Sequence, residues 1–540
     1  MDKKPLLGLA GAIVAAMAAE FNDQVSAIAL VDVRGAMGIG HDAGTWIESL
    51  YVTAMVIGMA LSPFWSTVVT LRRMVLFAIG LNLVSSVLIP FAPNIEILYL
   101  LRIFQGLAQG FTIPLLMAAA LRFLPPPIRL WGLCCYALTA TFFPNLSAGV
   151  AALWTEFVDW RFVFWEAIPL CTLAGLLVWH GMPQDPMNLA RIRQCDWSGT
   201  ALVILGMGAL TTMLEHGNRL DWFNSPLICV LALVSAVAVP LFVLNEWRSP
   251  APLIGVRLLG RPNVAYAVIT LFCFIMIGMS SSAVPMAYLA EVQGYRPLQS
   301  ATIMLEIAAL QFLYLPLAVY VLKQDWVDSR WVNGFGLVCI MVACIGCSQL
   351  TSAWNREQFY MWQAISGLGQ AFVVVSLLMM GTNAVVPQEG PQVSPLINMP
   401  RAVAQALGTC LLELVAHFRG ELHGTRLIER AGSHAFALIR GPALDPRHAP
   451  PLAADGSPRS AEALGAFHEA IVRQQAVMVA SDQYLFLAGL AGFVLLVLIL
   501  LPVRTYPPHI ALVKATPGQA PPAKTEVPPA PAPALVPVPA

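Results

Sequence analysis

The side chains best able to do chemistry are ionisable and amide groups that lie inside long apolar stretches of the sequence. Glu20 and Asp23 are three positions apart in the first stretch, and Arg102, Gln105 and Gln109 recur at helical spacing in a later one. Residues three or four apart lie on one helix face, so each set predicts a polar stripe. A carboxylate beside an arginine in such surroundings can gain or lose a proton, because burial favours the neutral acid and the cation favours the carboxylate. These residues therefore indicate proton exchange.

Further polar groups occur in the second half of the sequence. Glu306 lies in an apolar stretch with no adjacent cation, and Asn398, Arg401 and Gln405 share one face of a later stretch. An ionisable side chain at the centre of a bilayer costs about 2.5–3.5 kcal/mol on insertion scales and usually marks a pathway or a proton site. We therefore expect these groups to face the interior of a helix bundle rather than lipid.

Membrane-spanning helices are the elements that must position these side chains. Of the 540 residues, 58% are hydrophobic and only 11% are charged, which is far from the balance of a water-soluble protein. Apolar runs of roughly 20 residues, long enough to cross a bilayer, recur about fourteen times. The first block of six consists of the run 6–30 and of runs that begin near Thr45, Met74, Ile95, Trp131 and Phe162. An inserted pair follows at 199–214 and 226–243. The second block of six consists of runs that begin near Val264, Leu298, Trp331, Phe359 and Pro395 and of the run 484–501.

The predicted organisation follows from these runs. Residues 1–182 form an N-terminal six-helix bundle, 183–262 hold the two inserted helices with their flanking loops, and 263–504 form a C-terminal six-helix bundle. Within the last bundle, the segment 418–478 is polar and is predicted to be external. The tail 505–540 is rich in Pro and Ala, so it cannot bury a core and is predicted to be disordered.

The orientation of the chain is predicted from its lysine and arginine residues, which concentrate in the cytoplasmic loops of membrane proteins. Counted from a cytoplasmic N-terminus, the loops predicted to lie inside carry Lys3, Lys4, Arg72, Arg73, Arg122, Arg129, Arg191, Arg193, Arg248, Arg257, Arg261, Lys323 and Arg330. Both termini are therefore predicted to be cytoplasmic. The first apolar run is too long for a cleavable signal peptide, so it is predicted to be retained. The part of the external segment at 460–479 has helical periodicity.

Cofactor and metal chemistry has little support in the sequence. No Walker loop, G-x-G-x-x-G or zincin pattern occurs in a suitable setting. Cys344 and Cys347 form a C-x-x-C in an apolar run, without the second pair or the histidines that a zinc site uses. His180, His216 and His417 are isolated, which argues against a membrane enzyme. We expect no cofactor, no metal, no enzymatic activity and no nucleic-acid partner.

A family resemblance lies in several of these stretches. Residues 101–110, with Arg102, Gln105, Gly106 and Gly110, resemble the R-x-x-Q-G-x-G/A-x-G signature of the fourth helix in the major facilitator superfamily. With two extra spans between six-helix halves, the chain resembles the fourteen-span drug:proton antiporters of the EmrB/QacA type. Residues 22–29 resemble that family's first-helix L-D-x-T-x-x-N-x-A motif. Residues 160–169 resemble its W-R-W-x-F-x-x-N-x-P start of the sixth helix, and residues 398–408 resemble its N-x-x-R-x-x-x-x-x-x-G thirteenth helix.

The sequence also departs from the family pattern. In register, Asn22 rather than Asp23 occupies the usual carboxylate position, which moves the expected proton role to Asp23 or to Glu20. The loop after the second helix, 62–70, lacks the glycines and the acid of the G-x-L-A-D-R-x-G-R-R motif and is followed only by its arginine pair, Arg72 and Arg73. The fifth-helix G-P-x-x-G-G pattern, which is associated with antiport, is reduced to Pro144 and Gly149.

The resemblance implies a major facilitator fold and a role for each matching residue. Proton coupling is expected at Asp23, Glu20, Arg102 and Glu306; a substrate cavity is expected at Asn22, Gln105, Gln109, Asn398, Arg401 and Gln405; conformational motifs are expected at Gly106, Gly110, Pro144, Gly149, Arg72 and Arg73. By residue count Asp23 and Arg102 both lie in the outer half of the bundle, where they could pair.

The same resemblance implies a function. It is the export of hydrophobic or amphipathic small molecules in exchange for protons, by alternating access of a cavity at the middle of the membrane. It also implies a location in a bacterial inner membrane. A periplasmic adaptor and an outer-membrane channel are implied as partners, for which 418–478 is the natural docking surface. A transporter of one specific metabolite and a non-transporting membrane scaffold or sensor remain as alternatives.

Overall fold

The computed structural model describes residues 4–123, 126–324, 326–385, 389–433, 452, 453, 455, 457, 459–503 and 505, apart from the side chains at 24–28, 121 and 126–129. The first block comprises α1 (Lys4–Met37), α2 (His41–Val69), α3 (Leu71–Leu88), α4 (Ile95–Phe123), α5 (Pro126–Thr141), α6 (Phe143–Phe157), α7 (Phe162–Trp165) and α8 (Ala167–Gly181). The inserted pair is α9 (Trp197–His216) and α10 (Pro226–Arg248). The second block comprises α11 (Pro262–Gly278), α12 (Ala283–Gln293), α13 (Pro297–Leu322), α14 (Ser329–Cys347), α15 (Arg356–Asn383), α16 (Gly390–Ser433) and α17 (Ala461–Leu500). The predicted tail after 505 lies outside the described residues, as does 434–451.

The helices confirm the predicted all-α membrane fold. Among the described residues there are 12 spans long and apolar enough to cross a membrane, or 13 if the bent pair α5 and α6 is one span. No strand is formed within the same residues. The remaining long helix is α16, which carries the polar stripe of Asn398, Arg401 and Gln405. It contains Pro395 and Pro400 and is not among these apolar spans, so the predicted count of about fourteen stays a prediction.

The spans alternate in direction, which gives the bundle two ends. We call the end that holds Lys4 and Leu500 the terminal face, and the opposite end the distal face. Several helices start at a proline in their first turn, for example Pro226, Pro262 and Pro297. Proline is suited to this position because its fixed φ fits the helix and its missing N–H would have no partner there.

Two glycines bring α2 and α4 into direct backbone contact. A Cβ on Gly106 would collide with the carbonyl oxygen of Tyr51, and a Cβ on Gly110 would collide with that of Met55. Only glycine permits this approach, so the R-x-x-Q-G stretch has a packing role. The close contact also holds Arg102, one turn away on α4, against α2.

Two spans are broken near the middle of the bundle. α5 and α6 meet at a bend of 41°, and α11 is separated from α12 by a short turn that contains Ser280 and Ser281. Gln363 Nε2 donates to the Ser280 carbonyl at 3.1 Å, and Gln370 Nε2 donates to Ser281 Oγ at 3.0 Å. Irregular backbone within a membrane needs such partners, and it is tolerated where it lines a cavity.

The segment 418–478, which is predicted to be external, is helical at both of its ends. α17 begins at Ala461, which confirms the helical periodicity predicted for 460–479. α16 continues to Ser433, well beyond its membrane span, which the sequence did not predict. At the base of these two extensions, Arg419 Nε and His423 Nε2 each lie 2.6 Å from Asp482 Oδ2. We call the pair of extensions, 418–433 and 461–479, the distal arm.

Candidate functional site

A cavity of about 330 Å³ lies between the two blocks, in the half of the bundle nearer the distal face. α1, α2, α5, α6 and α9 form one wall, and α11 to α13, α15 and α16 form the other. Both helix breaks reach this space, through Pro144 on one side and Ser281 on the other. A concave space at the interface of two helical blocks, bounded by broken helices, is the usual position of a small-molecule site in membrane transporters.

One face of α16 joins the second block to the first along the seam. Its contact residues Ser394, Asn398, Arg401 and Gln405 lie on four successive turns. The contacts run from Ser394 Oγ to the Pro114 carbonyl at 2.7 Å, from Tyr136 Oη to Asn398 Oδ1 at 2.7 Å, from Arg401 Nη2 to Glu20 Oε1 at 2.8 Å and from Gln405 Nε2 to Asp23 Oδ2 at 3.1 Å. The polar stripe predicted for this helix therefore holds the two halves together.

These four contacts divide the seam into two layers. Ser394 and Asn398, nearer the terminal face, are fully buried against α4 and α5. Arg401 and Gln405, one and two turns further on, line the cavity together with Glu20 and Asp23. The ion pair of Arg401 with Glu20 therefore forms the floor of the cavity, directly above the closed layer.

The pair of Glu20 and Arg401 is nearly dry, with side-chain exposures of 4% and 10%. Removing both charges from water costs several kcal/mol for each ion, and the attraction at short range offsets this only while the two remain together. A proton on Glu20 would cancel this attraction. The strength of this cross-seam contact thus depends on the protonation of one carboxyl group.

Arg102 is fully buried in a second polar cluster. Its Nη2 lies 3.3 Å from Glu48 Oε2, its Nη1 donates to Gln105 Oε1 at 2.5 Å, and its guanidinium carbon lies 4.0 Å above the centre of the Tyr51 ring. Arg102 forms an ion pair with Glu48, and Asp23 accepts from Gln405 Nε2. The suggested pairing of Arg102 with Asp23 stays a prediction. The glycine contact of α4 with α2 holds Arg102 against α2.

The predicted amide residues of the first block lie behind the cavity wall. Asn22 Nδ2 donates to Asn82 Oδ1 at 2.9 Å, and Gln105 Nε2 donates to Ser86 Oγ at 3.0 Å. Gln109 accepts from the Tyr51 hydroxyl. Asn22, Gln105, Gln109 and Asn398 are buried outside the residues that line the cavity, whereas Arg401 and Gln405 line it. In this conformation these four amides connect helices.

The other predicted residues are dispersed. Glu306 is half-buried on α13 and stands outside the cavity lining, although Met304 two positions earlier belongs to it. Pro144 lines the cavity, and Gly149 packs against the Leu305 side chain across the seam. Arg72 lies over the Trp179 ring at 4.9 Å and Arg73 is half-buried, both beside Thr70 at the terminal face, far from the cavity.

Two carboxylates that the sequence did not single out line the cavity. Glu48 forms the ion pair with Arg102, and Glu215 is the next-to-last residue of α9. In the sequence both residues fall close to the end of an apolar run, and that position does not tell which way a side chain faces.

The distal end of α9 contacts both blocks. His216 Nε2 lies 2.8 Å from Ser49 Oγ of α2, and Asn218 Nδ2 donates to Glu413 Oε2 of α16 at 2.8 Å. Arg219 Nη1 also lies 3.1 Å from Asp42 Oδ1. We call the residues 216–219 with these partners the α9 clasp. The clasp fixes the inserted helix at the mouth of the cavity.

The cavity lining is both charged and apolar. It combines four carboxylates and one guanidinium with apolar side chains such as Phe274, Met279 and Met304. Within the described part of the chain, no group of three or more His, Cys, Asp or Glu residues is placed to hold a metal ion. The site therefore presents both charged and apolar surface to the cavity.

Comparison with known proteins shows which family this chain resembles in sequence. The family model of the Major Facilitator Superfamily matches residues 11–409. The chain is 22% identical over 405 residues to the probable multidrug resistance protein EmrY of Escherichia coli K12, which covers 75% of this chain and 78% of that relative. It is 24% identical over 515 residues to the fatty acid resistance protein FarB of Neisseria gonorrhoeae, which covers 92% of this chain and 97% of FarB.

Solved structures agree on the fold. A POT family transporter crystallised with a peptide conjugate matches with a TM-score of 0.55 at 13% identity, over 91% of this chain and 95% of that one. The proton:xylose symporter XylE matches with a TM-score of 0.52 at 12% identity, over 90% of this chain and 94% of XylE. At such identities the likeness concerns the arrangement of helices alone.

Proposed function

The chain belongs to the major facilitator superfamily and is a multi-pass secondary transporter, and from this premise we propose that it exports hydrophobic or amphipathic small molecules in exchange for protons. The observation that carries the proposal is the polar face of α16. Its four contacts with the first block pass from a closed layer into an open cavity. A seam that is sealed on one side of a site and open on the other is what alternating access requires.

The direction of opening follows from the charge of the two ends. Lys and Arg residues such as Arg72, Arg122 and Arg261 lie at the terminal face, which favours a cytoplasmic location for it and for both termini. The cavity then opens away from the cytoplasm, toward the periplasm of a bacterial inner membrane. In the opposite state, the contacts of Ser394 and Asn398 would separate and the distal side would close.

Glu20 is the carboxylate best placed for proton coupling. While it is ionised it holds Arg401 at the cavity floor, and protonation removes the attraction that joins α1 to α16. A proton arriving from the distal side would therefore weaken a contact between the two halves. Asp23, one turn away and hydrogen-bonded to Gln405, offers a second carboxylate that a released Arg401 could meet.

Transport by purified protein tests this coupling. The chain is reconstituted in proteoliposomes, a proton gradient is imposed, and the flux of a fluorescent amphipathic compound is measured. We expect gradient-driven flux in the unsubstituted protein and flux insensitive to the gradient in Glu20→Gln. Glu291→Gln, an exposed carboxylate of α12 outside the cavity lining, is the matched control and retains coupling. Flux that ignores a protonophore would contradict proton coupling.

The substrate class is supported by the relatives and by the cavity. The relatives carry names that refer to multidrug resistance, fatty acid resistance and colistin resistance, and the lining combines charged and apolar groups. Expression in a host without its own pumps should lower sensitivity to several amphipathic compounds at once. A change confined to one polar metabolite would favour a specific transporter, and the absence of any change would favour a scaffold.

We also propose that the distal arm docks a periplasmic adaptor protein, which connects the transporter to an outer-membrane channel. The arm projects from the face toward which the cavity opens, and it exposes Phe418 and Ile428. Replacing 420–478 by a short linker should abolish resistance in cells and leave flux in proteoliposomes intact. Resistance that survives the replacement would contradict docking at the arm.

A further inference from the structure

Tyr136 of α5 contacts α16 at the boundary between the cavity and the closed layer. Its side chain is buried, and Ala140, one turn further along α5, already lines the cavity. The Tyr136 hydroxyl lies 2.7 Å from Asn398 Oδ1 across the seam. The guanidinium of Arg401 and the carboxyl group of Glu20 lie close to the same phenol. One side chain of the first block therefore faces two successive turns of α16, one in each layer.

The direction of the hydrogen bond between Tyr136 and Asn398 is fixed by the neighbouring backbone. Asn398 Nδ2 donates to the Ser394 carbonyl at 2.8 Å, so the amide oxygen is the atom that points to Tyr136. An amide oxygen only accepts, and a phenol has a single proton to donate. The proton of Tyr136 is therefore directed to Asn398, and the lone pairs of the phenol oxygen remain for a donor. Arg401 carries donors only, which makes it the matching neighbour.

This arrangement connects the ion pair of the cavity floor to the closed layer. In the described part of the chain, the charged or titratable groups around the phenol are Arg401 and Glu20, and Asp23 adjoins that pair on α1. While Glu20 is ionised, its Oε1 holds Arg401 Nη2 at 2.8 Å. Protonation of Glu20 would free the guanidinium, and a cation left in a buried site requires other acceptors. The phenol oxygen is an acceptor that connects such a change to Asn398.

We propose that Tyr136 is a positioning residue for proton coupling: its hydroxyl transmits the protonation state of Glu20, through Arg401, to the closed layer at Asn398. The proposal rests on the transport function proposed above, since it assigns the route by which the same carboxyl group controls the closed layer. It adds a residue of α5 that stands outside the cavity lining. The alternative is a purely structural role, in which the hydrogen bond of Tyr136 only stabilises helix packing.

Tyr266 provides a matched control for that alternative. Its hydroxyl donates to Asn333 Oδ1 at 2.6 Å, both residues are fully buried, and both belong to the second block. Tyr136→Phe and Tyr266→Phe therefore each remove one hydroxyl and one buried hydrogen bond to an asparagine. The two variants should lower the melting temperature by similar amounts. Only Tyr136→Phe removes a hydrogen bond that crosses the seam.

The test measures the opening of the terminal face as a function of pH. Spin labels are placed at Met187→Cys, after α8, and at Val503→Cys, after α17, two exposed positions at that face. The full-length protein without its native cysteines is studied in nanodiscs, without substrate or gradient. In the labelled protein with Tyr136 intact, the fraction with a longer distance should rise from neutral to acidic pH, as Glu20 is protonated. Tyr136→Phe should reduce this pH-dependent change at least twofold, Glu20→Gln should reduce it at least as much, and Tyr266→Phe should leave it unchanged.

A second variant tests the same connection from the α16 side. Asn398→Ala should reproduce the reduced pH response, which keeps the test decisive if Tyr136→Phe does not fold. Three results would overturn the proposal: a full pH response in Tyr136→Phe, an equally reduced response in Tyr266→Phe, which indicates a structural role, and no pH response in the protein with Tyr136 intact. Because the distances are measured without substrate, each of these results is distinct from a failure of gradient-driven flux.

Discussion

The ion pair of Glu20 and Arg401 is expensive to place in a membrane, since each group is desolvated and each depends on the other. The position of the pair explains why this cost is tolerated. It joins α1 to α16 at the boundary between the sealed layer and the cavity, so a change in one proton alters a contact between the two halves. A pair of apolar residues of equal volume would seal the seam as well and would not respond to protons.

The mutual dependence of these two residues predicts the outcome of a double-mutant cycle. Arg401→Ala leaves the Glu20 carboxylate buried without its partner and should destabilise the protein by about 3–5 kcal/mol. Glu20→Ala combined with Arg401→Ala should be more stable than Arg401→Ala alone, because no buried charge then remains. Thermal unfolding of the purified variants in detergent measures the difference. A double variant that loses the sum of the two single losses would show that the pair is not coupled.

Arg102 gives a second prediction at the residue scale. Its planar guanidinium contacts Glu48 and Gln105 while it stacks on Tyr51, which a lysine ammonium cannot do at once. Arg102→Lys keeps the charge and should still lower stability by about 1–3 kcal/mol, with a large loss of flux. Arg296→Lys, at an exposed ion pair with Glu156, is the matched control and should change neither. Full activity in Arg102→Lys would show that charge alone suffices.

At the scale of elements, α9 is held at both of its ends. At the terminal face Asp196 caps it, with Oδ1 accepting from the Gly199 N–H at 2.8 Å. At the distal face the clasp joins it to α2 and to α16, which belong to different blocks. An inserted helix that contacts both blocks must either move with one of them or release one contact when the seam changes shape. The contact of Asn218 with α16 joins the inserted helix to the second block, whereas the contact of His216 joins it to the first block.

The clasp therefore predicts a change in the distal opening. Asn218→Ala removes the hydrogen bonds to Glu413 and to the Cys410 carbonyl, and should widen the distribution of distances between α2 and α16. Spin labels at His41→Cys and Glu421→Cys, in a background without the native cysteines, report that distance. Asn224→Ala, in the adjoining loop and outside the clasp, should leave the distribution unchanged. Identical distributions for Asn218→Ala and the unsubstituted protein would contradict the bridging role.

The cap of α9 predicts a dependence on pH. Burial tends to raise the pKa of Asp196, but hydrogen bonds from Ser198, the Gly199 N–H and Asn245 lower the pKa below its ordinary value. A lowered pKa means that the stabilisation is complete above the ordinary aspartate pKa and is lost as the pH falls through the folded value. Asp196→Ala should cost about 1 kcal/mol at neutral pH, and the gap should shrink in acid.

Melting temperatures of the two proteins across a pH series measure that gap. Asp196→Asn, which can still cap the helix, is the control and should fall between them at neutral pH. A gap that stays constant from neutral to acidic pH would mean that the carboxylate is not the stabilising group.

The elements also differ in how far they could be predicted. The start of α17 followed from its amphipathic period, whereas the continuation of α16 to Ser433 did not. The reason is that the α16 extension is stabilised by its neighbour, through contacts such as those of Arg419 and His423 with Asp482. A helix whose stability comes from a partner has only a weak signal of its own.

At the scale of the whole molecule, the two blocks are held in one conformation, in which the cavity is open at one end only. Its distal half is open between them and its terminal half is sealed by the contacts of Ser394 and Asn398. Accessibility to water should therefore change sharply along one face of α16. The change falls between the turn of Asn398 and the turn of Arg401.

Labelling of single cysteines measures this change. In a protein without its native cysteines, Thr409→Cys should react with a membrane-impermeant thiol reagent added at the distal face, because Thr409 is exposed and lines the cavity. Ser394→Cys, fully buried in the closed layer, should not react. Saturating substrate or a reversed proton gradient should lower labelling at position 409. Equal labelling of both positions would contradict the closed layer.

The sequence by itself determined which segments have to cross the lipid and which side chains are too costly to leave facing it. Spans of about 20 apolar residues and an ionisable group within them are local properties, so the all-α membrane fold could be predicted, and the polar groups Glu20, Arg401 and the polar face of α16 could be found within it. Only the tertiary structure decided which charges meet. The close approach of α2 and α4 at Gly106 and Gly110 places Arg102 beside Glu48. The packing of the helices leaves Gln109 outside the cavity lining and Glu215 within it. These outcomes depend on packing between segments that are far apart in the chain. No single stretch of residues contains the information that would predict such packing.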